Sequence, residues 1–214
     1  MAELIDIYDA NLHHLGVADR GEVHRQAYWH KTFHLWVVGS AGGGSVLFQR
    51  RSAFTENFPG LFDVSAAGHL LAGESVDDGL REASEELGVE FRPEDVHFLG
   101  YRVEVVDRET GYRDREVQAV HMTLLDLPLS SYRPQVSEVA GLVWLDLQAA
   151  FRLFSRGTGR EIGRGIGFEE SPGAWDPFEP SLAIGDFVPR LERYYLAACI
   201  MAERLIQGRF PLAI

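Results

Sequence analysis

With 214 residues the chain can bury a sizeable core, as one domain with an extension or as two small domains. Apolar residues make up 46% and charged residues 24%, the balance of a folded soluble protein. A net charge of −12 argues against duplex nucleic acid or anionic membrane as a general partner, and the single cysteine, Cys199, excludes an internal disulfide.

The N-terminal stretch "MAELIDIYDANLHH" lacks the basic start and apolar core of a signal peptide, and the longest apolar run, "YYLAACIMA", is too short to span a bilayer. A cytoplasmic location is expected. "ELIDIYD" alternates like a strand, and "ANLHHLG" reads as the turn that ends it. "TFHLWVVG", the glycine-rich "GSAGGG" and "SVLFQRR" predict a hairpin. A Pro-Gly turn in "ENFPGLFD" leads to a short strand of small residues, "VSAAGHL". Further on, "VHFLGYRVEVVD" and "REVQAVHMTLLDL" flank the turn "RETGYR" as a longer hairpin. "GLVWLDL" is a strand, and "LQAAFRLFSRG" a helix closed by Gly157. Residues 157–185 are rich in glycine and proline and read as a long loop, equally suited to be a lid or plain surface. "FVPRLERYYLAACIMAERLIQG" predicts an amphipathic C-terminal helix with Pro189 in its first turn. A mixed sheet with helices on its faces follows.

The chemistry concentrates in "AAGHLLAGESVDDGLREASEELGV", residues 66–89. Ser75 is a good N-cap, Asp78 can complete a capping box, and Gly88 stops the helix. Val76, Leu80, Ala83 and Leu87 share an arc of about 60° and form the buried stripe. Glu82, Glu85 and Glu86 lie on another face, with Arg81 the only nearby cation. Three carboxylates so placed repel one another unless a hard divalent cation relieves them. Taken alone, "EASEE" reads as a solvated helix face.

Its context changes that reading. Gly68, five residues, Glu74, then Arg81, Glu82, Ala83, Ser84, Glu85, Glu86, Leu87, Gly88 and Val89 resemble the Nudix box, Gly-x5-Glu-x7-Arg-Glu-U-x-Glu-Glu-x-Gly-U, with U a bulky aliphatic residue. Only six residues separate Glu74 from Arg81, and the first U is Ala83. The resemblance implies an α/β/α sandwich with a mixed β-sheet over residues 1–150, followed by a loop and helix over 151–214 packed on the same domain. It also implies hydrolysis of a small-molecule diphosphate, using Mg²⁺ or Mn²⁺ held by Glu82, Glu85 and Glu86. Arg81 would orient a glutamate, and Gly68 would let the backbone bend. A homodimer is one expected state of assembly.

"EVHRQAYWHKTFHLWVV", "LFQRRS", "FPGLFDVSAAGH" and "DREV" are similar to the isopentenyl-diphosphate isomerase branch of this superfamily. That likeness implies a second divalent-metal set of His24, His30, His69, Asp114 and Glu116. His13, His14, His97 and His121 read as structural or exposed, and His34 as core or sheet surface. The isomerases carry a catalytic cysteine where this chain has Ala67, which holds no transferable proton. Hydrolysis is therefore expected in preference to isomerisation, and the intact set of Glu82, Glu85 and Glu86 argues against a non-catalytic ligand-binding role. Glu116 is the first candidate base and Glu138 the second. Of Arg50 and Arg51, neighbours on a strand, at most one is expected to grip a diphosphate. Tyr28, Trp29 and Trp36 read as core.

Overall fold

In the computed structural model, which describes residues 3–109, 111–167, 175–190 and 192–214, two antiparallel strands open the chain, β1 (Leu4–Tyr8) and β2 (His14–Asp19). The short helix α1 (Arg20–Gln26) follows, capped by the Asp19 side chain, which accepts from the Glu22 amide at 3.1 Å. Then come β3 (His30–Gly39), β4 (Ser45–Arg51), β5 (Phe62–Asp63), β6 (Ala66–His69) and α2 (Gly79–Leu87). A long hairpin of β7 (Val96–Asp107) and β8 (Arg113–Leu124) precedes β9 (Val139–Asp146) and α3 (Leu147–Arg156). The chain closes with β10 (Glu161–Ile162), β11 (Arg164–Gly167), β12 (Asp176–Phe178), β13 (Ser181–Leu182) and α4 (Tyr194–Ile206).

The central mixed sheet runs β12-β11-β9-β4-β3-β8-β7, with β5 and β6 attached beside it. Strand β3 is apolar along most of its length because both of its faces are covered. Phe33, Leu35 and Val37 point to one side and pack with Leu80, Ala83 and Leu87 of α2. Trp36 and Val38 point to the other and pack with Leu153 of α3 and Tyr194, Ala198 and Ala202 of α4. The result is an α/β/α sandwich.

Strand β3 pairs with β8 in parallel from His30 to Val38 along one edge. Its other edge is shared. Residues Thr32–Leu35 pair with β6, and only Val38 and Gly39 pair with β4. At the fork, Ser65 Oγ accepts from the Val37 amide at 2.8 Å and donates to the Leu47 carbonyl at 2.6 Å. The predicted β3–β4 hairpin therefore exists only at its turn, and the strands diverge beyond it.

Several expectations change. His14–Asp19 is a strand, because the Asp9 carboxylate takes the amides of Asn11 and His13 and tightens the turn to the residues before it. Helix α1 had no strong periodic signal in so short a segment. Within 157–185, the loop expectation fails where β11 pairs with β9 and extends the sheet. Its glycines serve close packing: a Cβ on Gly165 would lie 2.6 Å from the Phe178 ring. Residues 168–174 of that segment lie outside the described residues, as does Leu191 in the predicted C-terminal helix. Helix α4 begins at Tyr194, so Pro189 precedes it.

Candidate active site

The register of β3, β6 and β8 gathers the site onto one face of the sheet. His30 stands opposite Glu116, and Thr32 opposite both Gln118 and His69. Side chains two apart on a strand share a face, so His30, Thr32, His69, Asp114, Glu116 and Gln118 all point the same way. Helix α1 brings His24 over this face from outside the sheet.

The three imidazoles form a near-equilateral triangle, with ring centroids 5.3 Å (His24–His30), 5.5 Å (His24–His69) and 5.2 Å (His30–His69) apart. Asp114 Oδ1 lies 3.5 Å from His30 Nε2 and 3.8 Å from His24 Nε2, and Glu116 Oε1 lies 3.9 Å from His30 Nε2. Ligand atoms within 4.8 Å of one another form two overlapping sets, His24/His30/His69 and His30/Asp114/Glu116.

The outward ends of these groups are held. His30 Nδ1 is 3.1 Å from the Tyr28 carbonyl, His69 Nδ1 is 3.4 Å from Glu3 Oε1, and the Tyr112 hydroxyl donates to Asp114 Oδ2 at 2.9 Å. Their inward atoms are not. Nε2 of His24, His30 and His69 and Oδ1 of Asp114 are buried without a hydrogen-bond partner. A proton placed on Nδ1 by a carbonyl or carboxylate leaves the Nε2 lone pair free, the arrangement a cation needs. Burial lowers the pKa of His24 to about 4 and shifts His30 and His69 downward, so all three are neutral at pH 7. Burial raises Asp114 and Glu116, and the neighbouring Asp114 charge adds to the rise at Glu116. The donor set and its unpartnered atoms fit a divalent ion.

The box glutamates lie on the same cleft but are arranged differently. Arg81 bonds Glu74 Oε1 at 2.9 Å, Glu82 Oε1 at 2.7 Å and Glu85 Oε2 at 3.0 Å. Glu86 stands apart, accepting from the Ala67 amide at 3.0 Å and from Gln49 at 3.4 Å, and burial pushes its pKa up to about 8. Among the described residues the three carboxylates form no ligand cluster of their own. The expected convergence on one point is replaced by two oxygens tied to Arg81 and one turned beneath β6.

Within the shortened spacer before Arg81 the chain forms a 3₁₀ turn at Val76–Asp78. Ser75 and Asp78 form the predicted capping box there. Glu74 reaches Arg81 and also takes the Leu71 amide at 2.8 Å. Gly68 does not serve as a bend, since it sits within β6 outside the positive-φ residues. A Cβ there would meet Glu82 Cγ at 2.9 Å, so glycine lets α2 approach the strand. Gly88 does need its freedom, with φ +63 and the Arg133 carbonyl 2.1 Å from any Cβ.

A cleft of about 320 Å³ joins these parts, lined by His69, Glu82, Glu85, Glu86, Asp114 and Glu116 among others. Arg51 lines it, whereas Arg50 donates its Nε to the Gly60 carbonyl at 3.3 Å and is not among the lining residues. Glu138 lines the rim as an exposed side chain. Sequence reasoning missed Arg20, Glu104, Gln118 and Arg190, which also line the cleft. Arg190 pairs with Asp63 at 2.6 Å and with Glu104, both buried. It lies 127 residues after Asp63, and no local pattern could have linked them.

A mixed sheet lies between helices and sets a carboxylate-bearing helix against a polar cleft. Residues 29–163 match the family model of the NUDIX domain. The chain belongs to the Nudix family and is a hydrolase acting on pyrophosphate bonds. An uncharacterized Nudix hydrolase of Clostridium acetobutylicum is 34% identical over 194 residues, covering 90% of this chain and 93% of that one. An isopentenyl-diphosphate Delta-isomerase of Nocardia farcinica is 31% identical over 143 residues, covering 66% of this chain and 78% of that one. Among solved structures, DR0079 of Deinococcus radiodurans shares the fold, with a TM-score of 0.52 at 21% identity over 73% of this chain and 91% of that one.

Proposed function

We propose that this chain is a divalent-metal-dependent hydrolase of a small-molecule diphosphate, either a nucleoside diphosphate derivative or an isoprenoid diphosphate. The observation that carries the metal requirement is the set of four buried, unpartnered atoms, Nε2 of His24, His30 and His69 with Oδ1 of Asp114. Mixed nitrogen and oxygen donors suit Mn²⁺ or a related transition ion, and the carboxylates of Glu82, Glu85 and Glu86 suit Mg²⁺. A bound divalent ion would neutralise diphosphate charge and acidify a water.

The protein's own groups position and transfer protons. Arg51 and Arg20 face the cleft and grip the diphosphate oxygens. Arg81 holds Glu74, Glu82 and Glu85 in one array. Glu116, whose pKa is raised by its surroundings, takes the proton of the attacking water, and the exposed Glu138 is the alternative. No helix among the described residues is long and apolar enough to cross a membrane.

The imidazole–carboxylate set also favours a second reading, isomerisation of an isoprenoid diphosphate. Ala67 counts against it. It lies two residues from His69 on β6 and lines the cleft, offering a methyl where a proton donor is needed. The test is phosphate or pyrophosphate release with Mg²⁺ and Mn²⁺ across nucleoside and isoprenoid diphosphates, with Glu85→Gln as comparison. Loss of turnover by about a hundredfold or more is expected for that variant. Full activity would remove Glu85 from the site, and conversion of isopentenyl diphosphate to its allylic isomer would establish the second reading.

A further inference from the structure

Behind the imidazole–carboxylate set lies a buried charge array that the hydrolytic groups leave unexplained. Glu104, Gln118 and Arg190 line the cleft, while Arg102 sits outside its lining. The Arg102 and Arg190 side chains are only 9% and 7% exposed, and Gln118 is fully buried. Buried ion pairs are a poor source of stability, because desolvation cancels much of their attraction. What such an array does supply is direction.

Gln118 shows how. A side-chain amide has an accepting end and a donating end of nearly equal shape, so its partners decide which way it faces. Arg102 Nη1 donates to Gln118 Oε1, and a guanidinium offers no acceptor, so the oxygen is fixed on that side. The amide nitrogen is thereby turned towards two carboxylates. It donates to Glu116 Oε2 and, at 3.1 Å, to Glu104 Oε2. One oxygen of Glu116 is thus engaged from behind, and the other, Oε1, is left 3.9 Å from His30 Nε2. Gln118 selects which oxygen of Glu116 meets the imidazoles.

Arg102 is itself clamped by residues that follow the Nudix domain, whose family match ends at residue 163. Glu192 accepts from Arg102 Nη2, and the Tyr194 ring centroid lies 4.3 Å from the Arg102 guanidinium carbon. Arg190 donates to Glu104 and, at 2.6 Å, to Asp63, whose Oδ1 is also 3.2 Å from the Tyr195 hydroxyl. Glu104 Oε2 receives Arg102, Arg190 and Gln118 together. The C-terminal segment therefore reaches Glu116 through two intervening side chains without touching it.

We infer that Gln118 positions Glu116 for its work in the cleft, and that the C-terminal segment sets the direction of the Gln118 amide by clamping Arg102 and Glu104. Gln118, Arg102 and Glu192 are positioning residues, acting in series. The inference rests on the reading of Glu116 as metal ligand or base, and it makes the segment after the Nudix domain part of the site.

The test has two arms on the full chain. The first needs no metal. The Gln118 side-chain amide pair is assigned in the NMR spectrum by its disappearance in Gln118→Met. It is expected to shift in Glu116→Gln, Arg102→Met and Glu192→Ala. It should stay near its wild-type position in Arg102→Lys, which keeps a donor on the amide oxygen. Glu192 is half exposed, so its variant carries little risk of misfolding. An amide pair that ignores Arg102 and Glu192 would overturn the inference.

The second arm is Mn²⁺ affinity by calorimetry. Gln118→Met and Arg102→Met are each expected to weaken it about tenfold, the double variant no more than Gln118→Met alone, and Arg102→Lys to retain it. Losses that add would show that Arg102 does not act through the amide, and would equally overturn the inference. A wild-type chain that binds no Mn²⁺ would defeat the metal reading of the imidazole set, and the amide spectrum would still decide the positioning role.

Discussion

His30 and Glu116 face each other as Cα partners across the parallel β3–β8 ladder, with Nε2 and Oε1 3.9 Å apart. The two come from strands that are distant in sequence, and the ladder register brings an imidazole and a carboxylate into one ligand set. A slip by one residue would send either side chain to the opposite face. The convergence of these side chains is thus a property of sheet register.

Removing one corner of the imidazole triangle should empty it. His69→Ala is expected to weaken Mn²⁺ binding by at least the tenfold to hundredfold that even outer partners of metal ligands cost, roughly. Isothermal titration and metal content after gel filtration measure this directly, without reference to turnover. Metal binding equal to wild type would exclude His69 from the set.

In the metal-free protein, stability should fall as pH rises above neutrality. Glu86 moves from 4.5 to about 8 on folding, so over that interval the native state holds a proton that the unfolded chain has lost. More protons bound by the native state means stability decreases with pH. His24 acts oppositely, moving from 6.5 to about 4, but its contribution is complete above pH 6.5. Between pH 6.5 and 8 the raised carboxylates therefore set the slope. Thermal melts in chelator should show a falling midpoint across that window, flattened in Glu86→Gln. A level or rising wild-type curve is the contrary result.

Gly88→Ala should destabilise the fold by about 1–3 kcal/mol, combining positive-φ strain with overpacking. The new Cβ would lie 2.1 Å from the Arg133 carbonyl oxygen, while the Arg133 amide is bonded to the Leu87 carbonyl at 3.0 Å, so the neighbouring backbone has little room to retreat. Denaturant unfolding gives the value, and an unchanged midpoint would mean that the backbone yields there.

Arg190→Met should cost about 3–5 kcal/mol, because it leaves the buried Asp63 and Glu104 without their shared cation. Adding Glu104→Gln should recover part of the loss, a coupling visible in a double-mutant cycle. Arg51 lies 3.9 Å from Asp63 and Arg102 pairs with Glu104, so strict additivity would mean that these two cations already neutralise the carboxylates.

The box helix, its cap and its buried stripe were legible because all three are local patterns of spacing and residue type. His24, His30, His69 and Asp114 were reached by motif likeness, and the structure gathers them in two overlapping sets that share His30. What stayed hidden was non-local. Arg190 meets Asp63 only through the packing of the C-terminal segment. The strand at Arg164–Gly167 was masked by glycines that look like loop but admit the Phe178 ring. The box glutamates misled in a different way, since helical periodicity puts side chains on a face without choosing their partners. Arg81 and the Ala67 amide made that choice.

The fork in β3 gives the cleft a mechanical character. One wall, carrying Asp114 and Glu116, belongs to the half-sheet of β3 and β8, and the other, carrying Arg51, to that of β4 and β9. The two halves part at Ser65, whose hydroxyl spans them like a pin through a hinge. The spacing of the two walls is then set by one hydroxyl buried in the core, two residues before Ala67 at the cleft. Shaving that pin to alanine would let the two walls shift against each other while leaving every residue that lines the cleft unchanged.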